Sequence, residues 1–172
     1  MKTKALVTFE DFETMLAVDA GKQELVQGKL VTLPPAKRAS GEIGIRLFDA
    51  LRVRCGSRVY IEMGYLIGTN PRSWLQPDVS VRHADQPGDD YLEGAPLIAV
   101  EIISEANRSM LLDRKVQLYL QSGAAEVWLV YPENRCVWVH GADRKTAERF
   151  ENTLTSRAIP AFELSLADLF NQ

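Results

Sequence analysis

Apolar residues recur at helical spacing in four places along the chain, and the stretches between them alternate or run unbroken as strands do. Thr8 with Asp11 has the form of a capping box, and Phe9, Phe12 and Leu16 share one helical face until Gly21, which predicts a short first helix. Glu24 to Val26 and Leu30 to Leu33 are extended runs joined across Gln27-Gly28, with Pro34-Pro35 ending the second, so a β-hairpin is expected. Ile43, Leu47, Ala50 and Leu51 predict a second, longer helix, with Gly56 as its left-handed terminator. Arg58 to Glu62, Tyr65 to Ile67 and Val79 to Val81 then read as strands of one small sheet. Leu97 to Ile103 is apolar except at Glu101, the pattern of a strand covered on both faces and therefore central. A helix from Ser109 to Ser122, stopped by Gly123, links it to a second buried strand at Val127 to Tyr131. Val137 to Val139 reads as an added edge strand, and Ser165 with Asp168 caps a closing helix that buries Leu166, Leu169 and Phe170. The order α, ββ, α, βββ, α, β and a β-rich tail places the chain in the α/β class.

A length of 172 residues fits one domain. Its expected parts are an N-terminal helix and hairpin over 1–35, a core over 39–140, and a β-rich tail with the closing helix over 141–172. The 46% of hydrophobic and 25% of charged residues are those of a protein with a packed core. The formal charge of −3 is no overall signature of nucleic-acid binding, so any such contact has to come from a local patch. Two distant cysteines, Cys55 and Cys136, and two histidines, His83 and His140, exclude a structural zinc site and argue against a disulfide scaffold. Met1 to Asp11 has no apolar core of a signal peptide, and no window approaches the roughly 20 apolar residues of a spanning helix, so a cytoplasmic protein without membrane contact is expected.

Glu101 carries the most chemical information, because a carboxylate inside an apolar strand needs a cation to face it. Asp78 begins the preceding short strand, and neighbouring strands lie only about 4.8 Å apart, so the two acids can share one ion. Magnesium suits such a place, since it is usually held by one or two carboxylates plus water and substrate phosphate. Each residue also has an ordinary reading. Asp after Pro is common in turns, Glu101 alone fits a buried ion pair, and Glu24 and Lys115 are of the types most often solvated.

Several motifs occur in a fixed order: Glu24-Leu25-Val26-Gln27-Gly28, Gln76-Pro77-Asp78-Val79, Gly94-Ala95-Pro96, and Val100-Glu101-Ile102-Ile103-Ser104. Lys115, Tyr119 and Gly123 follow at intervals of four, ahead of Glu126-Val127-Trp128-Leu129-Val130 and Pro132. Together they resemble the Uma-type family of restriction endonucleases, a branch of the PD-(D/E)XK nuclease superfamily, from Phe9 to Phe170. The resemblance implies a restriction-endonuclease-like αβββαβ core with a mixed central sheet, the helix and hairpin being N-terminal additions. It implies Asp78 and Glu101 as metal-binding acids with the backbone carbonyl of Ile102 as a further ligand, and Glu24 as an additional acid of the site. The superfamily's lysine two residues after the glutamate is replaced by Ile103, and Lys115 is positioned to stand in for it. The chain also departs from the family at Glu105, Leu111, Tyr131 and near Ala39.

The activity so implied is a magnesium-dependent endonuclease acting on DNA, with manganese as a substitute ion and Asp78, Glu101, Lys115 and Glu24 as its catalytic set. The alternative is a degenerate member of the same fold serving as a binding or assembly module. A glycosidase with paired carboxylates is disfavoured, because Trp74, Trp128 and Trp138 are too few and scattered to line a sugar cleft. Lys37, Arg38, Arg46, Arg72, Arg108 and Arg114 are the basic residues available to phosphate. The hairpin and the strand near Val137 offer edges for a homodimer.

Overall fold

The computed structural model describes residues 6–16, 22–35, 37–103 and 110–171. The expected roles of Gly21, Ser104 to Ala106, Arg108 and Ser109 lie outside the described residues. Helix α1 (Phe9–Leu16) is capped by Thr8, whose Oγ1 accepts the Asp11 N–H at 3.2 Å. Strands β1 (Gln23–Val26) and β2 (Lys29–Thr32) form the hairpin. Its turn residues Gln27 and Gly28 have φ of 49° and 76°, the left-handed pair that a two-residue hairpin of matching twist requires.

Helix α2 (Arg38–Cys55) ends at Gly56, and one turn of 3-10 helix leads into β3 (Val59–Ile61). Strands β4 (Tyr65–Ile67), β5 (Ser73–Leu75), β6 (Val79–Val81), β7 (Leu92–Glu93) and β8 (Ile98–Ile102) follow, then α3 (Met110–Gln121) and β9 (Glu126–Tyr131). The tail holds β10 (Cys136–Gly141), β11 (Glu148–Phe150), β12 (Thr153–Thr155), β13 (Glu163–Ser165) and α4 (Leu166–Leu169), the last capped by Ser165.

The strands do not build one small sheet. A six-stranded sheet runs β11-β10-β9-β8-β6-β3, with β8 and β9 parallel and the other neighbours antiparallel, while β2-β1-β5-β4-β7 form a second, five-stranded sheet. The N-terminal hairpin is thus part of a sheet completed by core strands, joined through Leu25 opposite Trp74. Strand β10 is not an edge: β11 pairs along it through Val137, Trp138 and Val139, because the tail returns as a hairpin. Among the described residues β2 is the edge strand of the N-terminal hairpin.

Period-2 alternation assigns the two faces of the six-stranded sheet. Val79, Val81, Val100 and Ile102 pack with Ile43, Leu47 and Leu51 of α2, together with Phe162, Leu166 and Leu169 from the tail. Full burial of a leucine such as Leu47 contributes about 2 kcal/mol. On the opposite face Ala99, Ile103, Val127 and Leu129 meet Val116 and Tyr119 of α3, with Tyr65, Ile67 and Leu75 of the second sheet. The far face of that second sheet, at Leu25, Leu66 and Trp74, is covered by Phe9 and Phe12 of α1. Glu126, 2% exposed, fastens the tail by accepting from Trp128 Nε1, Ser156 Oγ and the Arg157 N–H at 2.9, 2.8 and 2.9 Å. Among the described residues no helix is long and apolar enough to cross a membrane.

Candidate active site

The face of β8 that carries Ala99 and Ile103 also carries Glu101, so its carboxylate enters the layer between the six-stranded sheet, α3 and the second sheet. Asp78 precedes β6 in the register that sets Val79 opposite Val100, which brings it beside Glu101 at the same height. Asp78 Oδ2 accepts the Ile102 N–H at 2.7 Å, extending the ladder by a side chain. Glu24 and Val26 lie on one face of β1, and Val26 belongs to the α3 side of the core. Glu24 is accordingly completely buried, contrary to the solvated position that its residue type suggests, and its Oε1 accepts the Gln76 N–H at 2.9 Å.

Helix α3 supplies the positive charge. Lys115 Nζ stands 2.7 Å from Glu101 Oε1 and 2.9 Å from Glu24 Oε1, and the residue is 7% exposed. Tyr119, one turn on, donates its hydroxyl to Glu101 Oε1 at 3.0 Å. The spacing of four places both groups over one carboxylate. Ile103, which occupies the superfamily's lysine position, is packed in the apolar cluster beneath α3, and the ammonium arrives from the helix instead.

Burial opposes ionisation throughout this layer. Burial is the main cause that pushes the Glu101 carboxyl up to about 7; Lys115 opposes it, while Glu24 and Asp78 add to it. Burial would lower Lys115, but Glu101 and Glu24 outweigh it and hold its ammonium above the usual lysine range. Tyr119 is raised well above the ordinary tyrosine value by burial and by the Glu101 and Glu24 charges.

Two further residues join the network. Lys22 Nζ is 2.9 Å from Asp78 Oδ1 and 3.4 Å from Glu62 Oε1. Glu62 has a φ of 50° and donates its N–H to the Asp78 carbonyl at 3.2 Å. The i, i+2 relation of Lys22 to Glu24 is a sequence signal that could have found the lysine. No sequence signal marks Glu62, whose place follows from a left-handed turn. The other basic residues scatter: Arg46 donates to the Leu169 carbonyl at 3.0 Å and ties α2 to α4, and Arg38 pairs with Glu42 on its own helix. Arg114 donates to Gln27 Oε1 at 2.7 Å, and Lys37 and Arg72 are exposed.

Four carboxylates, Glu24, Glu62, Asp78 and Glu101, thus meet two ammonium groups, a formal excess of two negative charges when all are ionised. Glu24 Oε2 is buried with no hydrogen-bond partner among the described residues. Hard oxygen donors, an excess of −2 and an orphaned carboxylate oxygen fit a magnesium-class ion, which needs only one or two protein carboxylates. Among the described residues no three His, Cys, Asp or Glu side chains are gathered around one point.

A mixed sheet with carboxylates at and beside adjacent strands, flanked by helices of which one brings a lysine to them, is the arrangement expected of the restriction-endonuclease-like fold. The family model Uma2, described as "Putative restriction endonuclease", matches residues 9–167, and the chain belongs to that family. A solved structure from Anabaena variabilis, described as a "putative nuclease belonging to DUF820", shares the fold. It matches with a TM-score of 0.79 and 20% identity, over 95% of this chain and 97% of that one. No curated protein matches the sequence.

Proposed function

We propose that this chain is a divalent-metal-dependent endonuclease that hydrolyses phosphodiester bonds of DNA, acting as one domain and as a homodimer in the cytoplasm. The observation that carries the reading is the buried ion-pair network of Glu24, Glu101 and Lys115, from β1, β8 and α3, with Asp78 at the start of β6 held by the Ile102 N–H next to Glu101. The family supplies the reaction class. Asp78, Glu101 and the backbone carbonyl of Ile102 are the proposed ligands of a magnesium or manganese ion, with Glu24 as a supporting acid. The chemistry supplied by such an ion is neutralisation of the phosphodiester charge and activation of water.

The chain's own groups have separable tasks. Lys115, whose ammonium is paired with two carboxylates, orients a water or a phosphate oxygen by donating a hydrogen bond. Tyr119 fixes the rotamer of Glu101. The Ile102 N–H fixes one oxygen of Asp78, so the strand backbone holds that acid in place.

The test is cleavage of supercoiled, linear and single-stranded DNA, with RNA alongside, in magnesium or manganese and in EDTA. Metal-dependent cleavage that disappears in Asp78→Ala and Glu101→Ala supports the reading. Absence of cleavage on every DNA form refutes it and leaves the fold as a binding or assembly module. Sedimentation at micromolar concentration tests the homodimer, which a monomer would exclude.

A further inference from the structure

Both oxygens of Asp78 already accept hydrogen bonds: Oδ2 from the Ile102 N–H at 2.7 Å and Oδ1 from Lys22 Nζ at 2.9 Å. Lys22 is anchored at the end of the hairpin, where its carbonyl accepts the Leu33 N–H at 2.9 Å. Its side chain is 18% exposed, against 9% for Lys115, so it approaches the acids from the solvent side of the network while Lys115 lies within it. A carboxylate oxygen held by an ammonium at this distance cannot also face a divalent cation closely, because the two positive charges would then be only a few ångströms apart.

We propose that Lys22 is a built-in counter-cation for Asp78 that a divalent ion must displace, so that this lysine sets the ion affinity of the site. The inference rests on the metal-site reading above. In the metal-free protein Lys22 offsets the repulsion of Asp78, Glu62 and Glu101. When an ion takes Asp78, the flexible four-carbon stem carries the ammonium toward water. Lys22 is a positioning residue here, acting through Asp78.

The experiment is calorimetry with manganese on the full chain, together with melting temperatures in EDTA, for the wild type, Lys22→Met, Lys22→Gln, Lys22→Arg and Arg114→Met. Lys22→Met and Lys22→Gln should bind manganese about tenfold more tightly while melting at lower temperature without metal. Lys22→Arg, which keeps the charge and the donor, should stay near the wild type in both. Arg114→Met removes an exposed charge bonded to Gln27 and not to Asp78, and should change the affinity by no more than about twofold, because solvent and salt screen it. A merely structural lysine would lower stability without tightening metal binding. Equal or weaker manganese binding by both neutral variants overturns the proposal, as does equal tightening by Arg114→Met. If neither the wild type nor the Lys22 variants bind manganese, the metal-site reading falls with it; if all bind equally, only the role of Lys22 falls.

Discussion

Replacing Lys115 by methionine keeps the length and most of the apolar stem of the side chain but removes the charge shared by Glu24 and Glu101. Both carboxylate side chains are nearly inaccessible, 1% and 10% exposed, and lie 2.9 and 2.7 Å from the ammonium. Breaking a buried pair from one side typically costs about 3 to 5 kcal/mol, since the partner stays behind as an uncompensated charge. Here two partners stay behind. Their remaining donors, the Gln76 N–H on Glu24 and the Tyr119 hydroxyl on Glu101, limit the loss to that range. With a urea m-value of about 2 kcal/mol/M, the unfolding midpoint in EDTA should fall by roughly 1.5 to 2.5 M with m unchanged. Adding Glu24→Gln should then restore at least about 1 kcal/mol, because the amide oxygen still accepts from Gln76 and no buried negative charge remains there.

The pH dependence has a definite sign. Without the lysine the Glu101 carboxyl, already raised by burial, loses the charge that opposes the rise, so the native protein takes up a proton more readily than the unfolded one. The variant's deficit should therefore shrink as pH is lowered from 7 toward 5. A loss below about 1 kcal/mol, or a Glu24→Gln change that lowers stability further in the Lys115→Met background, would refute the claim that this ion network is a buried, mutually compensated unit.

Two other expectations concern the frame that holds the site. A Cβ on Gly64 would clash with Trp74 Cζ2, so Gly64→Ala must displace the indole from its edge-on contact with Tyr91 at 4.9 Å and its tilted contact with Phe9. A loss of about 2 to 3 kcal/mol, with a changed near-ultraviolet dichroism spectrum, is expected; an unchanged melting temperature would count against the packing described. Tyr65 is fully buried, donates to Ser80 Oγ at 2.9 Å, and burial pushes its hydroxyl up to about 12. Its folded value exceeds the unfolded one near 10, so this stabilisation is complete below pH 10 and is lost as pH rises toward 12, by about 2 to 3 kcal/mol. Tyr65→Phe should be less stable than the wild type at pH 8 by about 1 kcal/mol and should lose less between pH 10 and 11.5; parallel curves would contradict this.

The local elements were legible because each is written in short-range chemistry. The Thr8 cap, the Gln27-Gly28 turn, the buried run around Glu101 and the Ser165 cap all depend on residues a few positions apart. Glu101 as an acid in an apolar strand, and Lys115 with Tyr119 four residues on, were visible for the same reason: burial pattern and helical period are properties of the sequence. Which sheet a strand joins was not, since Tyr65 to Ile67 and Val79 to Val81 are both three-residue buried strands told apart by their pairing partners, which lie outside either run. The tail strand that covers Val137 was hidden likewise, because Glu148–Phe150 is too short and polar to announce itself and is a strand by virtue of its neighbour. Glu24 reads as a surface acid until the second sheet turns its strand toward α3. Lys22 and Glu62, 40 residues apart, meet only because a hairpin end and a left-handed turn converge on Asp78. The sequence determined the apolar faces and the caps of the first and last helices; long-range strand pairing decided which charges are buried and face one another, and with it the candidate site.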